Sequence, residues 1–211
     1  MQDATQYWLN AKEGNWAEGI ERRSGTRELA GQTVGIIGFG NIGRLVSARA
    51  QGLQMEVVAS DPYGSQELAD KMNIPLVSFE ELLAASDFIT IHAPLTPGTH
   101  KLINAAAFAQ MKRGVLLVCC ARGGIVDEVA LADALERGIV AGAALDVFET
   151  EPPPADHPLL ARDDVICTPH LGASTSDAQE KVAVELTQQV ADFLTKGEIR
   201  NALNLDAVRA S

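Results

Sequence analysis

Three polar residues, each placed just after a short apolar run, hold most of the chemical potential of this sequence. They are Arg122 in Cys120-Ala-Arg-Gly-Gly124, Asp146 after Ala141-Gly-Ala-Ala-Leu145, and His170 in Pro169-His-Leu-Gly172. An arginine presents a planar fork that grips a carboxylate through two parallel hydrogen bonds. A histidine, with an unperturbed pKa of about 6.5, takes and returns a proton near neutrality. A carboxylate facing that histidine would orient the ring and favour its protonated form. Phe148-Glu-Thr-Glu-Pro-Pro153 supplies two, Glu149 and Glu151, and spacing does not choose between them. Taken singly, these residues also read as a surface cation before a Gly-Gly turn, a loop histidine and surface acids. Taken together on one sheet edge, where parallel sheets bind their ligands, they argue for an active site.

A second pattern points to a nucleotide. Gly38-Phe-Gly-Asn-Ile-Gly43 follows one apolar run and opens a helix-period stretch, and Asp61 ends the next run. Gly38 permits a tight turn, Gly40 lets backbone N–H groups approach a pyrophosphate at a helix N-terminus, and Gly43 lets the helix lie close to the strand. Asp61 would accept hydrogen bonds from the adenosine ribose and repel a 2′-phosphate, which selects NAD over NADP. Without strand, helix and acid in place, the glycines would merely shape a turn. Cys119, Cys120 and Cys167 read as packing residues, because no nucleophile-elbow pattern surrounds them. His92 lies in a loop beside the expected cofactor path, where structural and functional readings both stand.

The elements that would position these residues alternate. Strands are predicted at 33–37, 56–60, 88–92, 115–119, 141–145 and 165–168, with a further short one at 75–77, each written as a run buried on both faces. Helices are predicted at 42–52, 79–85, 104–112, 128–137 and 176–196, with Ser78 and Glu81 as a capping box and Asp127 as an N-cap. The fold class is α/β: a Rossmann-type doubly wound parallel sheet of six or seven strands. The first segment, with Tyr7, Trp8 and Trp16, reads as a helix followed by a Gly-Asn turn.

Composition agrees with a single domain. The 211 residues carry 17 Lys+Arg against 28 Asp+Glu, a net charge of −11 that disfavours nucleic acid as a partner. Hydrophobic residues make up 46%, far from the signature of disorder, and no apolar run approaches a membrane span. Three cysteines in neither a disulfide ladder nor a metal spacing favour a reducing compartment, and no metal site is expected.

Four motifs in order carry a resemblance: Gly38-Phe-Gly-Asn-Ile-Gly43, Cys120-Ala-Arg-Gly-Gly-Ile-Val-Asp-Glu128, Ala144-Leu-Asp-Val-Phe148 with Glu151-Pro-Pro153, and Pro169-His-Leu-Gly-Ala-Ser-Thr175. From about Ala4 to Asn204 the chain resembles the nucleotide-binding domain of the D-2-hydroxyacid dehydrogenases. The resemblance implies NAD as cofactor, with Arg122 binding the substrate carboxylate, Glu151 rather than Glu149 pairing with the histidine, and His170 as acid/base. It gives Asn41 and Ile42 to the pyrophosphate, Asp61 to the ribose, and Ala93, Pro94 and Cys120 to the cofactor groove. Asp146 falls on the nicotinamide side, and Ala121, Arg122, His170, Gly172 and Ala173 also border the cofactor.

The wording of the second and fourth motifs is most similar to members that oxidise 3-phosphoglycerate to 3-phosphohydroxypyruvate in serine biosynthesis. The alternatives are glyoxylate or hydroxypyruvate reduction, or a non-catalytic NAD-responsive interaction module. The family likeness further implies a small-molecule substrate, a homodimer through this domain, no membrane and a cytoplasmic location. Two departures stand out. Gly52 occurs two residues before the position, near Gln54, where the family closes a helix with glycine. Family members also carry a substrate domain, so residues 1–32 read as interdomain helix and linker, 33–197 as the cofactor domain and 198–211 as a tail toward an absent domain. Such a chain is expected to bind NAD and to turn over substrate poorly on its own.

Overall fold

Runs such as Thr-Val-Gly-Ile-Ile and Val-Leu-Leu-Val-Cys have apolar side chains on both faces of the pleat, so they are stable only at the centre of a covered sheet. A computed structural model describes residues 12–13, 28–172 and 174–202. In it these runs form six parallel strands: β1 Thr33–Ile37, β2 Glu56–Ser60, β3 Phe88–Ile91, β4 Val115–Cys119, β5 Val140–Leu145 and β6 Val165–Cys167. The sheet order is β2-β1-β3-β4-β5-β6. The expected strand at 75–77 is reduced to a bridge between Leu76 and Ala59 on the outer side of β2. Strand order therefore reverses between β1 and β3, and at such a switch point the connecting chains diverge and leave a crevice at the carboxyl edge.

The connecting helices are α1 Asn41–Gly52, α2 Gln66–Lys71, α3 Phe79–Ala85, α4 Ala105–Phe108 and α5 Glu128–Glu136. They cover two apolar clusters, and the period of two along the strands separates these to opposite faces. Val34 and Ile36 of β1 join Val57, Ala59, Ala50 and Ala69 in one cluster. Ile37 joins Leu82, Leu83, Ile89, Phe108, Leu131 and Leu135 in the other. Leu82, Leu83 and Leu131 have no accessible surface, and each such burial contributes about 1.5–3 kcal/mol.

Local signals set the helix ends. Ser78 and Glu81 form the reciprocal capping box, and Asp127 accepts from the N–H groups of Val129 and Ala130. Helix α2 is absent from the sequence reading, and α4 is four residues long rather than the nine of 104–112. The helix before β2 does end at Gly52, but the left-handed residue that closes it is Gln54, with φ of 60°. Gln54 therefore takes the glycine's conformation itself.

The chain divides after residue 169 into two compact units. The described part of the second contains one helix, α6 Ser176–Lys196, capped by the Thr175 side chain and stopped by left-handed Gly197. Its buried Asp192 is held by Gln188, Lys196 and Arg200. The expected N-terminal helix with Tyr7, Trp8 and Trp16 lies outside the described residues, as does the tail from 203 onward.

Candidate cofactor and active site

Only Gly38, Phe39 and Gly40 separate β1 from α1, so the chain must reverse in three residues. Gly38 has a φ of 92°, and a Cβ there would sit 2.8 Å from the Ala93 nitrogen. A Cβ on Gly43 would lie 2.0 Å from the Gly38 carbonyl oxygen, so any side chain would push α1 off β1. At Gly40 the opposite holds: nothing lies within 4 Å of an added Cβ. No side chain caps the N-terminus of α1, and its first turn holds no acid. Open space over an uncapped twelve-residue helix with a positive dipole end fits a pyrophosphate.

Asp61, at the end of β2, is fixed by two backbone donors, the N–H groups of Phe39 and Tyr63, each at 2.8 Å. Its carboxylate borders a cleft of about 540 Å³ with Gly38, Gly40, Tyr63, Phe79 and Leu102. A second cleft of about 310 Å³ is lined by Ile42, Cys120, Ala121 and Arg122. The two share His92, Ala93 and Pro94, the residues that leave β3 at the switch point. Each lies in the size range of small-molecule sites. Burial pushes the His92 imidazole below its ordinary value, and its Nε2 lies 3.1 Å from the Thr90 hydroxyl.

Of the catalytic candidates, Arg122 lines the second cleft, and Glu151 stands on the separate loop after β5. Arg122 is exposed, with one guanidinium nitrogen donating to the Ala121 carbonyl at 2.6 Å. Cys120, a packing residue by its local pattern and a cofactor-groove residue by the resemblance, is exposed and borders the cleft, whereas Cys119 is buried. Burial and the Asp146 charge push the Cys120 thiol up. Asp146 is buried and accepts from the Thr168 hydroxyl at 2.5 Å. Glu151 accepts from the Phe148 N–H at 3.0 Å, while Glu149 turns toward His100 and Lys101, both 3.9 Å away. Asn41 accepts from Arg44 at 2.7 Å.

His170 and Gly172 belong to the second unit. His170 is exposed and has a φ of 51°, a left-handed backbone in which histidine is one of the few side chains enriched. Ala173 lies outside the described residues. Sequence reasoning overlooked Tyr63, Val77, Phe79, Thr96 and Leu102, which line the larger cleft. For Thr96 and Leu102 the signal was the switch point, since the loop leaving β3 must border any ligand there.

A glycine turn under an open helix N-terminus, an acid on the neighbouring strand and paired clefts at the reversal of strand order define a dinucleotide-binding domain of the Rossmann type. The chain matches the D-isomer specific 2-hydroxyacid dehydrogenase NAD binding domain over residues 1–172, and it belongs to that family. NAD is its cofactor.

The chain is 45% identical over 203 residues to D-3-phosphoglycerate dehydrogenase of Archaeoglobus fulgidus, covering 96% of this chain and 38% of that protein. To D-3-phosphoglycerate dehydrogenase of Bacillus subtilis it is 48% identical over 181 residues, covering 86% and 34% respectively. Among solved structures, a glyoxylate reductase from Paecilomyes thermophila aligns with a TM-score of 0.81 at 32% identity, covering 97% of this chain and 61% of that one. An NAD-dependent formate dehydrogenase from Staphylococcus aureus in complex with NAD aligns at 0.80 and 33%, covering 95% and 59%. This chain thus spans 34% and 38% of the length of the two curated relatives named here. Among the described residues no helix is long and apolar enough to cross a membrane.

Proposed function

We propose that the chain is the cofactor-binding part of an NAD-dependent dehydrogenase that oxidises 3-phospho-D-glycerate to 3-phosphohydroxypyruvate, the entry to serine biosynthesis. The observation that carries the reading is Arg122 on the lining of the cleft that joins the cofactor cleft at His92 to Pro94. The choice of substrate rests on the D-3-phosphoglycerate dehydrogenases, which at 45% and 48% identity are nearer than the glyoxylate reductase at 32%.

In this reading Arg122 holds the substrate carboxylate through both guanidinium branches and so fixes which face of C2 is presented. His170 removes the proton from the C2 hydroxyl as a general base, and in the reverse direction returns it. Glu151 favours the protonated ring that results. NAD, when bound, supplies the acceptor for the hydride that leaves C2. Gly38, Gly40 and the N-terminus of α1 would hold its pyrophosphate, and Asp61 its ribose. A homodimer through this domain and a cytoplasmic location belong to the same proposal; the first rests on the family resemblance, the second on three thiols outside any disulfide.

An NADH titration followed by energy transfer from protein to nicotinamide tests the cofactor site. Saturation in the range of about 1 μM to 1 mM is expected, with NADPH weaker and Asp61→Ala narrowing that gap. Equal affinity for the two cofactors in the wild-type chain would overturn the role of Asp61. Joined to a substrate domain of the kind family members carry, the chain is expected to form NADH from NAD and 3-phosphoglycerate, a turnover that Arg122→Ala abolishes; preference for an unphosphorylated hydroxy acid would replace the substrate reading.

A further inference from the structure

We infer that Glu128 and His157 form a clasp that positions the Glu151 loop against the Arg122 loop; the inference rests on the roles proposed above for Arg122 and Glu151. Glu128 is the first residue of α5, and its side chain is only 14% exposed. One carboxylate oxygen accepts from the Glu149 N–H at 2.6 Å and the other lies 2.9 Å from His157 Nε2. His157 Nδ1 accepts from the Leu159 N–H at 3.3 Å, so in the neutral ring the proton sits on Nε2 and points at Glu128. The same ring packs edge-on against Phe148, with centroids 5.5 Å apart. Phe148 in turn donates its N–H to Glu151.

The opposite side of this loop is pinned independently. A Cβ on Gly123 would lie 1.8 Å from the Phe148 carbonyl oxygen, so the backbone beside Arg122 is in direct contact with the backbone that leads to Glu151. Arg122 and Glu128 also border one crevice of about 10 Å³. Neither Glu128 nor His157 lines the two clefts.

An acid at the start of a helix also stabilises the dipole, but charge alone does that from the surface. Val129, the next residue, is 80% exposed, so solvent is available there. A largely covered carboxylate that reaches residues 21 and 29 positions away is built for geometry. The consequence is that Glu128 and His157 are positioning residues: they touch neither cleft and act through the main chain at Phe148 and Glu149.

Hydrogen exchange on the whole chain tests this, comparing wild type with Glu128→Ala, Glu128→Gln and His157→Gln. In Glu128→Ala the amides of Phe148 and Glu149 should exchange at least about tenfold faster, those of Ile89 and Ile91 in β3 should stay within about twofold, and NADH affinity should stay within about twofold. Glu128→Gln keeps an acceptor for Glu149 but presents an NH₂ to a ring nitrogen that already donates, so it should show an intermediate effect. Ring titration of His170 by NMR supplies the link to the site, because Glu128→Ala should move it in the same direction as Glu151→Gln. Unchanged exchange at Phe148 and Glu149 in a folded variant, or equal acceleration at every amide, would overturn the clasp. Should Glu128→Ala fail to fold, the Gln variants decide by the same readouts. Should Glu151→Gln leave the His170 titration where it is, the pairing of Glu151 with His170 falls, and exchange still decides the clasp.

Discussion

Cys120 shows how two neighbours of one type diverge once the chain is folded. Cys119, the last residue of β4, is buried, while Cys120 faces the smaller cleft beside Arg122. Its thiol is pushed up by burial and by the Asp146 charge, so less of it is thiolate at neutral pH than in a free cysteine. Iodoacetamide at pH 7 is therefore expected to modify Cys120 more slowly than it modifies glutathione, and saturating NADH should slow it further. Peptide mass spectrometry reads both rates; modification that NADH leaves unchanged would remove Cys120 from the cofactor's neighbourhood. At this scale the sequence was readable where a function is local. Gly38, Asp61 and Arg122 announce themselves by what stands within a few residues of them, at the end of a strand. Glu128 and His157 do not, since 29 residues separate them and only the folding of the segment around Pro154 onto α5 brings the ring to the carboxylate.

Among the elements, the helix ends repeat one device. After α1, α2 and α5 the chain turns through a left-handed residue, Gln54, Asn73 and Gly138 respectively. In each the following N–H reaches back to a carbonyl of the last turn: Met55 to Ala50, Ile74 to Ala69 and Ile139 to Ala134. These are Schellman closures, which satisfy carbonyls that the helix end would orphan. Of these three, only the end of α5 has glycine at the strained position. Gln54→Gly should stabilise the chain by about 0.5–1 kcal/mol, and Asn73→Ala should destabilise it by a similar amount, both read from urea midpoints. A loss of stability in Gln54→Gly would mean that the glutamine side chain contributes more than its backbone costs. Helix α2 escaped sequence reading for a related reason. Its six residues present only Leu68 and Ala69 as apolar groups, and Ser65 caps it without a partner acid at Leu68, so neither periodicity nor a capping box marks it.

For the molecule as a whole, architecture was the most legible level, because parallel strands buried on both faces are continuous apolar runs that read the same in sequence and in space. The division at residue 169 was not legible, since no composition shift accompanies it. Acid should weaken the fold through two groups. Burial lowers the His92 pKa, so the unfolded chain binds the extra proton, and stability present above the unfolded value of about 6.5 declines as pH falls below it. Asp164 is held below the usual carboxylate range by hydrogen bonds from Arg162 at 2.7 and 2.8 Å. Its contribution, about 0.5–1 kcal/mol for a partly exposed pair, is present above pH of about 4 and lost as pH falls through the depressed pKa. Urea unfolding at pH 7, 5.5 and 3.5 should show His92→Gln flattening the first interval and Asp164→Asn the second. Equal slopes in the variants and the wild type would remove both groups from the acid response.

The shared border of the two clefts at His92, Ala93 and Pro94 has a use in ligand design. A fragment that fills the larger hollow beside Asp61 and a carboxylate-bearing fragment drawn to Arg122 would sit on either side of one short stretch of backbone. A spacer crossing it would make the second contact intramolecular, so that two weak fragments would combine into one tight competitor of NADH without a new contact between ligand and protein.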